Sequence, residues 1–173
     1  MRSTAIPPPA VPLSDGTVLL RYRVATDLPT ISSASYDAET LRGMLDPPMD
    51  ATASASSLDR VAEAFRSGSA APLVIANAKT DEPVGLINLQ FRSDHVASIA
   101  YSVFPDQRGQ GIAGRSVQLV ARWAMEELEV KQLLLEIDSA NRSSIRVAEK
   151  CGFVPAASDA KSPAGKTVFV LRR

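Results

Sequence analysis

The chain has 173 residues, 45% of them hydrophobic, and its nineteen basic and nineteen acidic residues cancel to a formal net charge of zero. That length suits one domain with a sizeable core, and the balanced charge, with no basic stripe, argues against nucleic-acid binding. The lack of any long apolar run argues against a membrane span, and the single cysteine, Cys151, permits no internal disulfide and suits a reducing cytoplasm.

Met1 to Pro12 is rich in proline and lacks the continuous apolar core of a signal peptide, so residues 1–16 read as a flexible, extended tail. A single domain is expected over residues 17–173. After the Asp15-Gly16 turn, Val18 to Val24 alternates as a first strand. Thr26 or Asp27 can cap a short helix towards Tyr36, with Pro29 in its first turn. Arg42 to Ser57 is loop-like in composition. A second helix spans about Leu58 to Arg66 and stops at Ser67-Gly68. Leu73 to Ala78, Val84 to Phe91 and Ala97 to Val103 are strands with short connections, which predicts an antiparallel meander.

The pattern then changes. Val117, Val120, Ala121, Ala124 and Leu128 recur at helical spacing, so a helix runs from about Gly111 to Leu128. Gln132 to Ile137 is a strand reached by a helical crossover, hence parallel to its predecessor. Asn141 opens a short helix that Gly152 stops, and Lys166 to Leu171 is a last strand. The fold class is therefore α/β: an antiparallel meander followed by a parallel strand pair, flanked by helices.

The most informative stretch is Arg108-Gly-Gln-Gly-Ile-Ala-Gly-Arg-Ser116, lying between a strand and a helix. A glycine turn at a helix start presents free N–H groups and a positive dipole end to an anion, often a phosphate. Gly109-x-Gly111-x-x-Gly114 matches the dinucleotide fingerprint, with Glu136 or Asp138 near the ribose-binding position. That fingerprint needs its first glycine at the strand's end, whereas Phe104 to Arg108 intervene here. A P-loop would need lysine where Arg115 stands.

Arg108-x-x-Gly111-x-Ala113, preceded by Val103-Phe-Pro105, resembles the coenzyme turn of the GCN5-related N-acetyltransferases (GNAT superfamily). Asp138-Ser-Ala-Asn141 through Ser144 to Gly152-Phe153 is similar to a second motif of that family, in the right order. The RimJ/RimL-like branch is the most similar. The resemblance covers Val18 to Leu171 and implies a mixed sheet with Ala97–Val103 and Gln132–Ile137 splayed apart to admit the pantetheine arm of acetyl-CoA. It implies an N-acetyltransferase acting on a primary amine, either a small molecule or a peptide N-terminus, with no metal and with a homodimer as one compatible assembly.

Acetyl transfer from a thioester to an amine requires a held diphosphate, a polarised carbonyl, a deprotonated amine and a protonated leaving thiolate. The N–H groups of Gly109, Gln110, Gly111, Ile112, Ala113 and Gly114 suit the diphosphate, with Arg108 and Arg115 adding charge-assisted bonds. By resemblance, backbone donors of Tyr101, Ser102 and Val103 face the acetyl carbonyl and Asn141 contacts the pantetheine arm. Asn141 is equally a good helix cap. By resemblance Ser144 lies near the sulfur; its structural alternative is a first-turn hydroxyl bonding the Asn141 backbone.

Two residues common in relatives are missing. Ser98 stands where a glutamate base is expected and Ala148 where a tyrosine acid is expected. A coenzyme-binding module with little or no catalysis is therefore the alternative. No base is assigned; His95 reads as an exposed hairpin residue, and Glu136 faces either cleft or solvent. Tyr36, Asp37, Glu39, Asp46 and Asp50 are acidic or aromatic residues on the expected acceptor side. Phe153, Val154 and Trp123 are expected to fill core.

Overall fold

The computed structural model describes residues 4–38, 40, 49–156 and 165–173. Among these residues eight strands form one sheet: β1 (Leu13–Ser14), β2 (Val18–Arg21), β3 (Ala70–Asn77), β4 (Pro83–Phe91), β5 (Val96–Val103), β6 (Gln132–Asp138), β7 (Val154–Pro155) and β8 (Lys166–Arg172). Their spatial order is β1-β2-β3-β4-β5-β6-β8-β7. Every pairing is antiparallel except β5 with β6. The helices among the described residues are α1 (Leu28–Ser35), α2 (Ala51–Ala55), α3 (Ser57–Ser67), α4 (Ile112–Glu126) and α5 (Arg142–Lys150).

The alternation of each strand divides its side chains between two layers. Leu73 and Ile75 of β3, Ile87 and Leu89 of β4, Ile99 of β5 and Leu135 of β6 pack with Val117, Val120 and Trp123 of α4. On the opposite face Val74 and Ala76 of β3 meet Ile31 of α1 and Phe104. β3 is thus covered on both sides, which explains its unbroken apolar run from Leu73 to Ala76. Each large apolar side chain buried this way contributes about 1.5–3 kcal/mol.

Turn chemistry sets the boundaries. α3 ends where Gly68 adopts φ +74°, a left-handed cap conformation that favours glycine. Pro29 lies in the first turn of α1, where its missing N–H costs no helical bond. The expected cap at Thr26 or Asp27 takes another form: the Asp27 carboxylate accepts from Val24 N at 2.9 Å and makes two bonds to Arg21, at 2.8 and 2.9 Å. This buried pair pins β2 to α1.

Residues 4–16 do not form the free tail that their prolines suggest. Ile6 and Leu13 are buried, Ile6 N donates to Phe65 O at 2.9 Å, and Leu13 pairs with Leu20. These two isolated apolar side chains dock by non-local contacts, which a count of prolines does not register. Val154 also departs from expectation: it is 57% exposed on the edge strand β7, while Phe153 is buried. Trp123 is buried in α4 as expected.

Candidate active site

The parallel pairing of β5 with β6 lasts only from Val96↔Gln132 to Ser98↔Leu134. β5 nevertheless stays paired to β4 as far as Val103, and β6 to β8 as far as Asp138. Ile99–Val103 and Leu135–Asp138 therefore diverge, leaving a slot open in the sheet. The direction of the backbone groups along this slot follows from one hydrogen bond. Phe104 N donates to Val84 O at 2.9 Å, and antiparallel bonding alternates every second residue. Ser102 and Ala100 consequently turn their N–H groups to β4, while Tyr101 and Val103 turn theirs to the slot. Of the three donors expected here, Ser102 is thereby removed. Its side chain points instead to Thr40, with the two hydroxyl oxygens 3.5 Å apart.

The glycine turn stands at the wide end of this slot. Pro105–Gln107 forms a single 3-10 turn, Arg108 is extended, and Gly109 and Gly111 take φ values of +78° and +76°. Those conformations strain any residue with a Cβ. Gly111 is the N-cap of α4 and provides no side-chain cap, so the first N–H groups of that helix keep no partner within the helix. A Cβ placed on Gly109, Gly111 or Gly114 would meet no atom within 4 Å. Open space above uncapped, positively polarised N–H groups fits a diphosphate. Ile112, by contrast, is buried and anchors the helix through its side chain.

Both arginines of the turn are engaged by carboxylates. Arg108 Nη2 donates to Asp37 Oδ2 at 2.6 Å and to Thr40 Oγ1 at 3.3 Å, while its Nε donates to Val103 O at 3.1 Å. The Arg108 guanidinium holds the Asp37 carboxyl down to about 2, helped by the Thr40 N–H. Arg115 Nη1 donates to Asp15 Oδ2 at 2.6 Å. In this structure, then, neither side chain points its charge freely into the cradle.

Across the slot, Asn141 caps α5: its Oδ1 accepts from Ser144 N at 3.1 Å and from Ser143 Oγ at 2.8 Å. The capping role is carried by Asn141 itself, with Ser143 and not Ser144 supplying the first-turn hydroxyl contact. Cys151, at the end of α5, points its thiol to Gly114 O at 3.5 Å, and burial pushes that thiol up.

The sequence of residues 17–154 matches the family model described as the acetyltransferase (GNAT) domain. The chain belongs to the GNAT acetyltransferase family. Among solved structures, a RimL ribosomal L7/L12 alpha-N-protein acetyltransferase in complex with coenzyme A is similar in fold, with a TM-score of 0.77, 18% identity and coverage of 94% of this chain and 97% of that one. The microcin C7 self-immunity acetyltransferase MccE, in complex with acetyl-CoA and AMP, gives 0.78, 16%, 98% and 99%. The aminoglycoside acetyltransferase AAC(6')-Ib, in complex with coenzyme A, gives 0.73, 20%, 91% and 95%. No curated protein matches the sequence.

In this GNAT domain both base candidates have other partners. His95 lies at the paired end of β5, where its Nδ1 is 3.0 Å from Glu129 O in an exposed position. Glu136 Oε1 is 3.5 Å from Arg92 Nη2, whose Nε donates to Ser98 Oγ at 3.1 Å. Ser98, standing where a carboxylate is expected, is thus tied to a cation. On the acceptor side Asp37 is in the Arg108 pair, Asp50 caps α2 through Ala53 N at 2.7 Å, and Tyr36 is exposed. Glu39 and Asp46 lie outside the described residues. The Arg108–Asp37 link escapes sequence reasoning, because it joins residues 71 positions apart.

Proposed function

We propose that this chain is an N-acetyltransferase that moves the acetyl group of acetyl-CoA to a primary amine, of a small molecule or of a peptide N-terminus. The observation that carries this is the juxtaposition of the β5–β6 slot with the uncapped, glycine-opened N-terminus of α4. The N–H groups from Gly109 to Gly114 bind the diphosphate. Tyr101 and Val103 direct N–H groups at the arm lying in the slot, where such a preorganised donor stabilises developing negative charge on the acetyl oxygen. Asn141 keeps α5 in place beside that arm, and Arg108 braces the turn by holding Val103 O and Asp37 together.

The amine enters from the side of α1. An open groove there is rimmed by Tyr36, Asp37 and Asp106, a setting that favours a cationic acceptor. Two of the similar structures carry the names alpha-N-protein acetyltransferase and aminoglycoside acetyltransferase, both amine chemistries. A second reading is favoured by Ser98 and its tie to Arg92: a coenzyme-binding module with weak or no turnover.

Thermal unfolding of the purified chain with acetyl-CoA, CoA, NAD and ATP tests the cofactor. A ligand at about a hundred times its Kd adds about 2.7 kcal/mol of stability. Stabilisation by acetyl-CoA and CoA alone is the expected result; stabilisation by NAD or ATP instead sinks the reading. Thiol release from acetyl-CoA with an amine panel then separates the enzyme from the binding module.

A further inference from the structure

Four buried side-chain polar atoms among the described residues have no hydrogen-bond partner: Arg23 Nε, Asn88 Oδ1, Tyr101 Oη and Trp123 Nε1. Three belong to neutral groups. Arg23 carries a full charge, which costs far more to bury without a counter-ion. Arg21, Arg66, Arg92, Arg108 and Arg115 each pair with a carboxylate. Arg23 has no such partner among the described residues; its Nη1 donates to Oγ of the buried Ser57 at 2.6 Å. Asp27, whose charge also acts on Arg23, has both oxygens engaged by Arg21 and Val24 N. The Nε–Nη2 edge of Arg23 is therefore unused, with Nε covered by protein and Nη2 open to solvent. A carboxylate or phosphate is held by two parallel N–H bonds along such an edge.

A second cation is fixed beside the first. Arg60 Nη1 donates to Ser56 Oγ at 2.5 Å and its Nη2 to Ala53 O at 2.8 Å, and it too pairs with no carboxylate among the described residues. Ser56 and Ser57 are consecutive at the α2–α3 junction, so two guanidiniums hang on neighbouring neutral hydroxyls. Their like charges repel unless an anion lies between them. The position of this pair relative to the slot follows from the sheet. Tyr22 packs edge-on against Phe65 of α3, and the chain is still extended at Val24, so Arg23 points, like Arg21, to the layer of α1. Continuing the register from Arg21↔Val74 sets Arg23 opposite Pro72, which pairs with Asn88, which pairs with Ala100. That row crosses the sheet from Arg23 to the exposed Ala100 at the slot's edge, three strand spacings or about 14 Å.

We propose that Arg23 and Arg60 bind an oxyanion, carboxylate or phosphate, borne by the acceptor amine. This rests on the acetyltransferase reading above and names its substrate class: an amine whose anionic group lies about 14 Å from the reacting nitrogen. The acidic rim at Asp37 and Asp106 attracts the ammonium end, and the two arginines receive the other.

Thiol release from acetyl-CoA is measured with acceptors that differ only in the anion: ω-aminodecanoate against its amide, and ω-aminodecyl phosphate against the amino alcohol. The wild type should favour an anionic member by about tenfold in kcat/KM. That preference should vanish in Arg23→Gln and be reduced in Arg60→Gln and in Arg23→Lys, which keeps the charge without the two-bond edge. The last two variants carry the test if Arg23→Gln does not fold. Preference within the carboxylate pair or the phosphate pair identifies the anion. Equal rates for charged and uncharged acceptors in the wild type, or a preference that survives all three substitutions, overturn the proposal. Thermal unfolding with inorganic phosphate at saturating CoA reads the site without turnover: stabilisation of the wild type but not of the Arg23 variants supports it, and equal shifts overturn it. If no amine at all releases thiol, the acetyltransferase reading falls while this second measurement still decides the anion site.

Discussion

Arg108 Nη2 and Asp37 Oδ2 stand 2.6 Å apart, joining the glycine turn before α4 to the segment after α1. The same guanidinium holds Val103 O, at the last residue of β5. One side chain therefore ties together the glycine turn, the slot edge and the end of α1. Asp37→Ala should weaken acetyl-CoA binding, and Arg108→Ala should weaken it more because the Val103 bond is lost as well. The double variant should be no worse than Arg108→Ala alone, since contacting residues couple. Calorimetric Kd values for the three variants decide this; simple additivity would mean that the pair does not act as a unit.

Gly111 allows two effects to be separated. Gly111→Ala should cost about 1–2 kcal/mol of stability from its left-handed backbone and weaken coenzyme binding only in part, because its methyl carries no charge and meets no protein atom within 4 Å. Gly111→Glu should lose coenzyme binding altogether, through bulk and charge in the cradle. Thermal unfolding with and without acetyl-CoA reads both; retained ligand stabilisation in Gly111→Glu would show that the diphosphate lies elsewhere.

Asn141 and Ser144 should behave oppositely. Asn141→Ala removes the acceptor for Ser144 N and should lower stability by about 1 kcal/mol. Asn141→Asp preserves the cap and should restore most of that loss. Ser144→Ala should leave Tm in place and lower turnover more than binding. A large drop in Tm for Ser144→Ala would recast Ser144 as a structural residue.

Asp27 supplies a pH-dependent element far from the slot. Burial raises its carboxyl, but the Arg21 hydrogen bonds and the Val24 N–H outweigh that and leave its pKa lowered. A lowered carboxylate contributes stability above its unfolded pKa of about 3.9, and that contribution is lost as pH falls below it. Denaturant unfolding of Asp27→Asn against wild type should differ at neutral pH and converge in acid. At neutral pH the loss should be about 1–2 kcal/mol, because Arg21 keeps its bond to Asp81 Oδ1 at 2.6 Å when Asp27 is neutralised. A difference that persists undiminished in acid would place the effect in packing.

Elements whose signals are local are legible in the residues alone. Helical spacing in Val117–Leu128, alternation in the β3–β5 meander, the left-handed glycines and the Asn141 cap each act within a few residues, so each could be read without coordinates. The two motifs, in order, carried the family. Features that depend on distant segments meeting are set by the three-dimensional fold. The parity that turns Ser102 away from the slot and Tyr101 towards it follows from the β4–β5 register. The pairing of Arg108 with Asp37 spans 71 residues, and that of Arg115 with Asp15 spans 100. The docking of Ile6 against α3, the exposure of Val154 and the orphaning of the Tyr101 hydroxyl belong to the same class. Local propensity says which backbone a segment adopts. Which partner a charged or polar side chain finds is set by chain reversals that bring remote residues within hydrogen-bond range.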